Sequence, residues 1–334
     1  MGHPAFATRE QIMGATDIKS TAIQASAIDR LIFSASRQIE QVMRRHFYPR
    51  VETVTYEPPY DFARYGFWLN RDIQSVTNLE VDDVGLTVDD FTLHPSSDGP
   101  PYSRIELSGF ENVETAITGV WGYSDDEAPA GALDGNVATT TETTIQVTNG
   151  AAIGVGDLIH IEDERLIVTN KVVVDSAVNT TAEVAAEKSV VTLPVGDGTA
   201  FTAGETVLVD AERMLITDVA GNNLIVKRAH DGSTLALHVT DSDIYVYRLL
   251  TVERGAEGTT AAIHADTTAI TRNVPPGTIT ELCIAEVTTA LEQESAAYAR
   301  TIGSGEAERE AAGKGLADVR HRAKQYQRLR KGVV

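Results

Sequence analysis

The sequence predicts an α+β chain. It has a mainly helical core, made of N-terminal helices, a small β region and C-terminal helices, and an inserted all-β domain of two related modules, with nesting of one in the other as the expectation. Three observations predict this. Apolar residues recur at helical spacing near both ends of the chain. Short β-branched runs separated by Pro, Gly and Asp occupy Val51 to Tyr123. A Thr-, Val-, Gly- and Asp-rich stretch with internal self-similarity fills 125–273.

The elements follow in order. Thr8 and Gln11 have the spacing of a capping box, which satisfies free N–H groups at a helix start. After a break at Gly14 and Thr16-Asp17, a longer helix is predicted from Thr21 to His46, with Ile28, Leu31, Ile32, Ala35, Ile39, Val42 and Met43 as its buried stripe. Arg44 and Arg45 suit the negative end of its dipole, and Pro49 closes it. Val51–Tyr56, Ser75–Val81, Phe91–Leu93, Arg104–Leu107 and Thr115–Trp121 read as strands. Beyond Pro275-Pro276 a helix of about 25 residues carries Leu282, Ala285, Thr289 and Tyr298, by the same periodicity. Glycines 303, 305, 313 and 315 interrupt it. A last amphipathic helix spans Leu316 to Lys331.

The middle of the chain repeats itself. Residues 156–169 match 204–217, with Glu164-Arg165 and Glu212-Arg213 in register. Residues 224–234 match 250–260, and His238 corresponds to His264. The two offsets differ, which excludes a tandem array. Residues 191–248 form one complete module, whereas 145–170 find their closing half only at 250–272. The predicted domains are 1–124, the insert 125–273, and 274–334.

Charge sorts the same regions. The 334 residues carry a formal charge of −20, with 42% hydrophobic and 23% charged residues. Residues 125–273 hold 23 acidic and 9 basic residues and so account for −14 of it. Such a chain is poorly suited to wrapping nucleic acid, which needs clustered cations. The single cysteine, Cys283, cannot form an internal disulfide. With no apolar leader, no lipidation motif and no run of membrane length, a soluble protein made in a cytoplasm is expected. The histidines lack metal-ligand spacing, and no phosphate loop or nucleophile elbow occurs, so no catalytic, cofactor-binding or metal residues are assigned. Glu162-Asp163-Glu164 could offer carboxylates to calcium, but its counterpart Asp210-Ala211-Glu212 loses one. His238 and His264, at matching repeat positions, are expected to be structural.

With the middle set aside, the remainder resembles the head–tail connector (adaptor) family of long-tailed bacteriophages. The residues that carry this are Ala35-Ser36-Arg37-Gln38-Ile39-Glu40 leading to Arg44-Arg45-His46-Phe47-Tyr48-Pro49, Ser75-Val76-Thr77 with Val81-Asp82, Gly119-Val120-Trp121-Gly122-Tyr123, and Val274-Pro275-Pro276-Gly277. The likeness covers about 1–124 and 274–334. It implies a non-enzymatic virion protein of the neck, assembled in the host cytoplasm. Its ring, commonly a 12-mer, would sit beneath the portal protein, above a neck, stopper or tail-completion protein. DNA would pass through the channel without sequence-specific binding, and no membrane or cofactor is involved. The basic C-terminal segment, with Arg320, Arg322, Lys324, Tyr326, Arg328, Arg330 and Lys331, would grip the portal or a neighbouring subunit. Phe47, Trp121 and Tyr123 are expected as core or interface anchors. The alternative is a tail or surface protein whose insert binds a host glycan or another virion protein, although Phe201, Tyr245 and Tyr247 are the only aromatic residues of 125–273.

Overall fold

The computed structural model describes residues 2–16, 25–57, 62–63, 66–107, 114–295, 301–302, 309–310 and 315–328. Four α-helices lie among them: α1 (Arg9–Thr16), α2 (Ala25–Met43), α3 (Gly277–Ser295) and α4 (Leu316–Ala323). The Thr8–Gln11 capping box forms reciprocally: the Thr8 N–H donates to the Gln11 side chain at 2.8 Å, and the Gln11 N–H to the Thr8 hydroxyl at 3.2 Å. Helix α2 buries Ile28, Leu31, Ile32, Ala35, Ser36, Ile39 and Met43. Val42, expected on that stripe, is exposed. The helix stops at Met43 because Arg44 turns left-handed (φ 54°), the conformation that ends many helices.

The expectation of a mainly helical core is overturned. Residues 50–121 build a seven-stranded antiparallel sheet, and the described chain is predominantly β. The sheet runs β1 (Arg50–Tyr56), β7 (Thr115–Trp121), β3 (Gly66–Val81), β6 (Tyr102–Leu107), β5 (Phe91–His94). The short β2 (Phe62–Ala63) and β4 (Val84–Leu86) pair with β3 as well. Strand β3 is 16 residues long, against the seven of Ser75–Val81 in the sequence reading. Register shifts between Trp68 and Ile73, Ile73 and Ser75, and Val76 and Asn78 break its two-residue alternation, so its first half has no strand signature. The last helix is shorter than expected: α4 gives way to a single tight turn, Lys324–Tyr326, instead of continuing to Lys331. Helix α3 is described as far as Ser295, and Tyr298, expected on it, lies outside the described residues.

The ten-stranded sheet of the second region contains β8 (Glu127–Ala132), β9 (Thr144–Gln146), β10 (Leu158–Ile161), β11 (Glu164–Asn179), β12 (Thr192–Pro194), β13 (Thr206–Val209), β14 (Glu212–Ala220), β15 (Asn223–Lys227), β16 (Asp243–Glu253) and β17 (Ala269–Asn273). Its order is β12-β15-β14-β13-β16-β11-β10-β17-β8, with β9 also on β16. Strands β11 and β16 are long because each serves both repeats. The start of β11 pairs with the end of β16, with Val168 opposite Val252, a bulge, Asn170 opposite Thr251, and Val172 opposite Leu249. The inner hairpin reproduces this register, with Ile216 opposite Val226, a bulge, Asp218 opposite Ile225, and Ala220 opposite Asn223. Even the bulged threonines agree: Thr169 donates to the Thr251 carbonyl and Thr217 to the Ile225 carbonyl. Where the inner hairpin turns through Gly221-Asn222, the outer one continues into 173–248. One module therefore sits in the hairpin turn of the other.

Each module has its own apolar interior. Ile159, Ile161, Leu166, Val168, Leu250 and Val252 fill the outer one. Val207, Val209, Met214, Ile216, Leu224 and Val226, the corresponding residues, fill the inner one. The opposite face of the outer module belongs to the helices: Leu158, Ile167 and Ala256 share a core with Phe6, Ile12, Ile28, Phe47 and Cys283.

Replacing 173–248 by Gly-Asn gives the outer hairpin the turn that the inner one already has. The shortened chain is expected to unfold cooperatively with an outer module intact. Loss of protected amides in 158–168, measured by hydrogen exchange, would contradict the nesting.

Candidate functional site

The densest polar chemistry lies in the repeats. Glu164 and Glu212, both fully buried, begin β11 and β14. Arg254 grips Glu164 through two nitrogens, each at 2.7 Å, and Arg228 grips Glu212 at 2.7 and 2.8 Å. Backbone N–H groups of Gly255 and Ala262 donate to Glu164, and those of Ala229 and Ala236 to Glu212. His264 lies between Glu164 and the exposed Glu162, at 2.8 Å from each. His238 lies between Glu212 (3.0 Å) and the exposed Asp210 (2.7 Å). Burial alone would raise both buried carboxyls. The arginine, the two backbone amides and the imidazole outweigh it and bring each down to about 2.

These clusters are internal clamps. Each carboxylate ties a hairpin start to the Arg-containing turn and to the loop that carries the histidine. Glu162 and Glu164, considered above for calcium, are instead engaged by His264 and Arg254. Among the described residues, no group of three or more His, Cys, Asp or Glu is placed to hold a metal. Cys283 is buried at 3.6 Å from the Ser36 hydroxyl, and burial pushes its thiol up to about 11, well away from nucleophilic thiolate.

The predicted partner-binding segment folds back on the chain. Arg320 forms a two-pronged pair with Glu286 of α3 (2.6 and 2.8 Å), and Arg322 reaches Glu281 at 3.1 Å. Lys324 is exposed. Tyr326 packs edge-on against Phe47 and Tyr123, at 6.1 and 5.6 Å between ring centres. Arg328 donates to Asp72 at 3.0 Å and to the Leu69 carbonyl. Arg330 and Lys331 lie outside the described residues.

Tyr326 and Arg328 complete a joint that the sequence places far apart. Phe47 is buried and meets Phe6 and Tyr123 edge-on, and the Arg45 guanidinium lies 4.7 Å from the centre of the Tyr123 ring. Trp121 is buried and donates to the Glu52 carbonyl at 3.0 Å. Asp72 sits between Arg328 and Arg45, the latter at 3.2 Å. Burial raises the Asp72 carboxyl and the two guanidiniums pull against it. Asp72 escaped the sequence reading because a lone carboxylate in a strand carries no motif. A cavity of about 300 Å³ lined by Arg44, Arg45, Arg71, Asp72 and Trp121 opens beside the joint.

A larger groove, about 760 Å³, separates α1 from the inner module and is lined by Arg9, Lys171, Thr206, Arg213, Lys227 and Arg272 among others. Of the insert's aromatic residues, Phe201 is buried in the inner core, Tyr245 and Tyr247 are half-buried, and the Tyr247 hydroxyl accepts from Arg213 at 3.1 Å at the edge of the groove. No helix among the described residues is long and apolar enough to cross a membrane. Comparison of the chain with protein families, curated proteins and solved structures finds no match.

Arg228→Ala should destabilise the fold by about 3–5 kcal/mol, since it leaves a buried carboxylate without its cation. Urea unfolding showing a loss under about 1 kcal/mol would contradict the clamp.

Acid provides a second test. The ordinary glutamate value is 4.5 and the folded value of Glu164 and Glu212 is about 2, so their contribution is complete above 4.5 and disappears as pH falls toward 2. Asp157, raised by burial from 3.8 to about 6, acts in the opposite sense and favours the fold as pH falls between those values. Unfolding free energy should rise modestly as pH falls from 6 to 4.5, through Asp157, and drop below that as Glu164 and Glu212 protonate; denaturant titrations that stay flat down to about pH 3 would refute it.

Asp72→Ala should release the C-terminal segment, because Arg45 and Arg328 are then left facing each other. Amide exchange in 316–328 is expected to speed up by at least about tenfold, the equivalent of roughly 1.4 kcal/mol. Unchanged exchange would show that Tyr326 packing alone holds it.

Proposed function

We propose that this chain is a structural subunit of a tailed-phage particle, a head–tail connector that works as a ring beneath the portal and extends the DNA channel toward the tail. One observation carries the reading beyond the sequence likeness. Two of the segments that bear the resemblance, 44–49 and 119–123, meet at one joint, and the basic C-terminal segment closes over it through Tyr326 and Arg328. Segments distant in sequence are thus held together at the spot where the likeness is concentrated.

The clamps give the same reading physical sense. A neck subunit must keep its shape against packaged DNA, and buried ion pairs with every lone pair engaged resist local opening. Lys324, with Arg330 and Lys331, would be presented to the portal or to a neighbouring subunit.

A reconstruction of the particle's neck tests this. The expected result is a ring of this chain beneath the portal, with 316–328 on the portal side. Density for the chain at the tail tip, with none at the neck, would overturn it and favour host-surface recognition.

A further inference from the structure

The nested repeat supplies a comparison within one molecule. In the outer module, the face opposite its own core is covered by the N-terminal arm. The Gly2 N–H donates to Glu253 at 2.6 Å, and the Ala5 N–H to the Gly156 carbonyl at 2.9 Å. Glu257 receives Arg50 at 2.6 Å and lies 3.5 Å from His3. The turn at Gly258 packs so closely on β1 that a Cβ there would lie 1.9 Å from the Val51 carbonyl oxygen.

The corresponding positions of the inner module are Lys227 for Glu253, Gly204 for Gly156, Asp231 for Glu257, and Thr206 and Leu215 for Leu158 and Ile167. All five line the groove of about 760 Å³. Leu158 and Ile167 are fully buried beneath the arm, whereas Thr206 and Leu215 are half-exposed and Lys227 is exposed. Among the described residues, the same module face is thus covered in one copy and open in the other.

The open face differs in charge. Glu253 and Glu257 face an amide, a histidine and an arginine. Lys227 reverses the first of these, and Asp231 is held by Arg213 at 2.7 Å. Across the groove stand Lys171 and Arg272. Lys171 donates to the Gly150 and Ile153 carbonyls and Arg272 lies 3.9 Å from Asp157, while Glu10 and Asp157 accept from the Val155 and Gly154 N–H groups at 2.9 and 2.8 Å. Arg9, Lys171, Arg213, Lys227 and Arg272 stand against Glu10, Asp157 and Asp231, so the lining is net positive on a chain of charge −20.

One surface element has the complementary character. The β3–β4 hairpin turns through Asp82-Asp83, both with positive φ (53° and 62°), and leaves them exposed. Val84 and Val88, at 58% and 76% exposure, and the exposed Asp89 follow. Asp90 is tied locally to Thr87. The hairpin pairs acidic groups with two valines that nothing among the described residues covers.

We infer that the inner-module groove is an interface between copies of this chain, and that it receives the acidic hairpin 82–89 of a neighbouring copy. The inference rests on the ring reading and names one contact by which the ring would close. Lys227 would meet the hairpin carboxylates, and Leu215 the valines, as the outer module meets its own N-terminal arm.

Full-length Gly85→Cys and Thr206→Cys, which keep Asp89 and Lys227, mixed and treated with a short thiol cross-linker, should give dimers well above a mixture in which Asp163→Cys replaces Gly85→Cys. Self-association followed by sedimentation should weaken at least tenfold in Lys227→Glu and in Asp89→Lys, and should recover when both changes are in one chain. A chain that stays monomeric, association indifferent to Lys227→Glu, or cross-linking no better than the control would each overturn the inference. Because the connector reading is judged by location in the particle, it could survive any of these results.

Discussion

A buried glutamate holding an arginine, an imidazole and two backbone amides organises more of this protein than any apolar contact does. Glu212 fixes where β14 starts, where the Arg228 turn bends and where the His238 loop returns. Three segments of low intrinsic order are thereby set by one side chain. An uncompensated buried charge is among the costliest defects a fold can contain, so the arrangement is all or nothing. Its second use around Glu164 organises the outer module in the same way, with Gly255 where the inner copy has Ala229.

Both modules make the same clamp, yet their opposite faces have different fates. The outer one lost its independence: Leu158, Ile167 and Ala256 lie in the helical core, and the N-terminal arm is laid across them. Insert and core are therefore one packed body along that face. The inner module contacts the rest mainly through its long shared strands and through bonds such as that from the Gly150 N–H to Glu205.

The repeats were legible in the sequence because the residues that build the clamp are polar, few and fixed in spacing. Glu164 and Glu212, His264 and His238, and the turn glycines Gly258 and Gly232 stand at constant offsets. The first seven-stranded sheet was not legible. Bulges in β3 remove the alternation by which strands are recognised, so a long strand read as a short one and the core read as helical. The joint around Asp72 was hidden for another reason. Its members, Arg45, Asp72, Tyr123 and Arg328, are spread across nearly the whole chain, and no periodicity links them. Leu158 and Ile167 showed strand alternation, but alternation does not tell which face meets another layer.

The shared strands impose an order of events on folding. Val168 and Val252 are 84 residues apart, and closing that span directly is slow as well as entropically costly. The inner hairpin closes across only Gly221-Asn222. Once the inner module has formed, its two strands leave it side by side, and Val172 and Leu249 are already neighbours. The outer sheet then has only to continue a pairing that has begun. A chain whose most distant contacts are prepared by its most local ones folds from the inside outward, and pulse-labelled amide exchange would record the inner module's protection first.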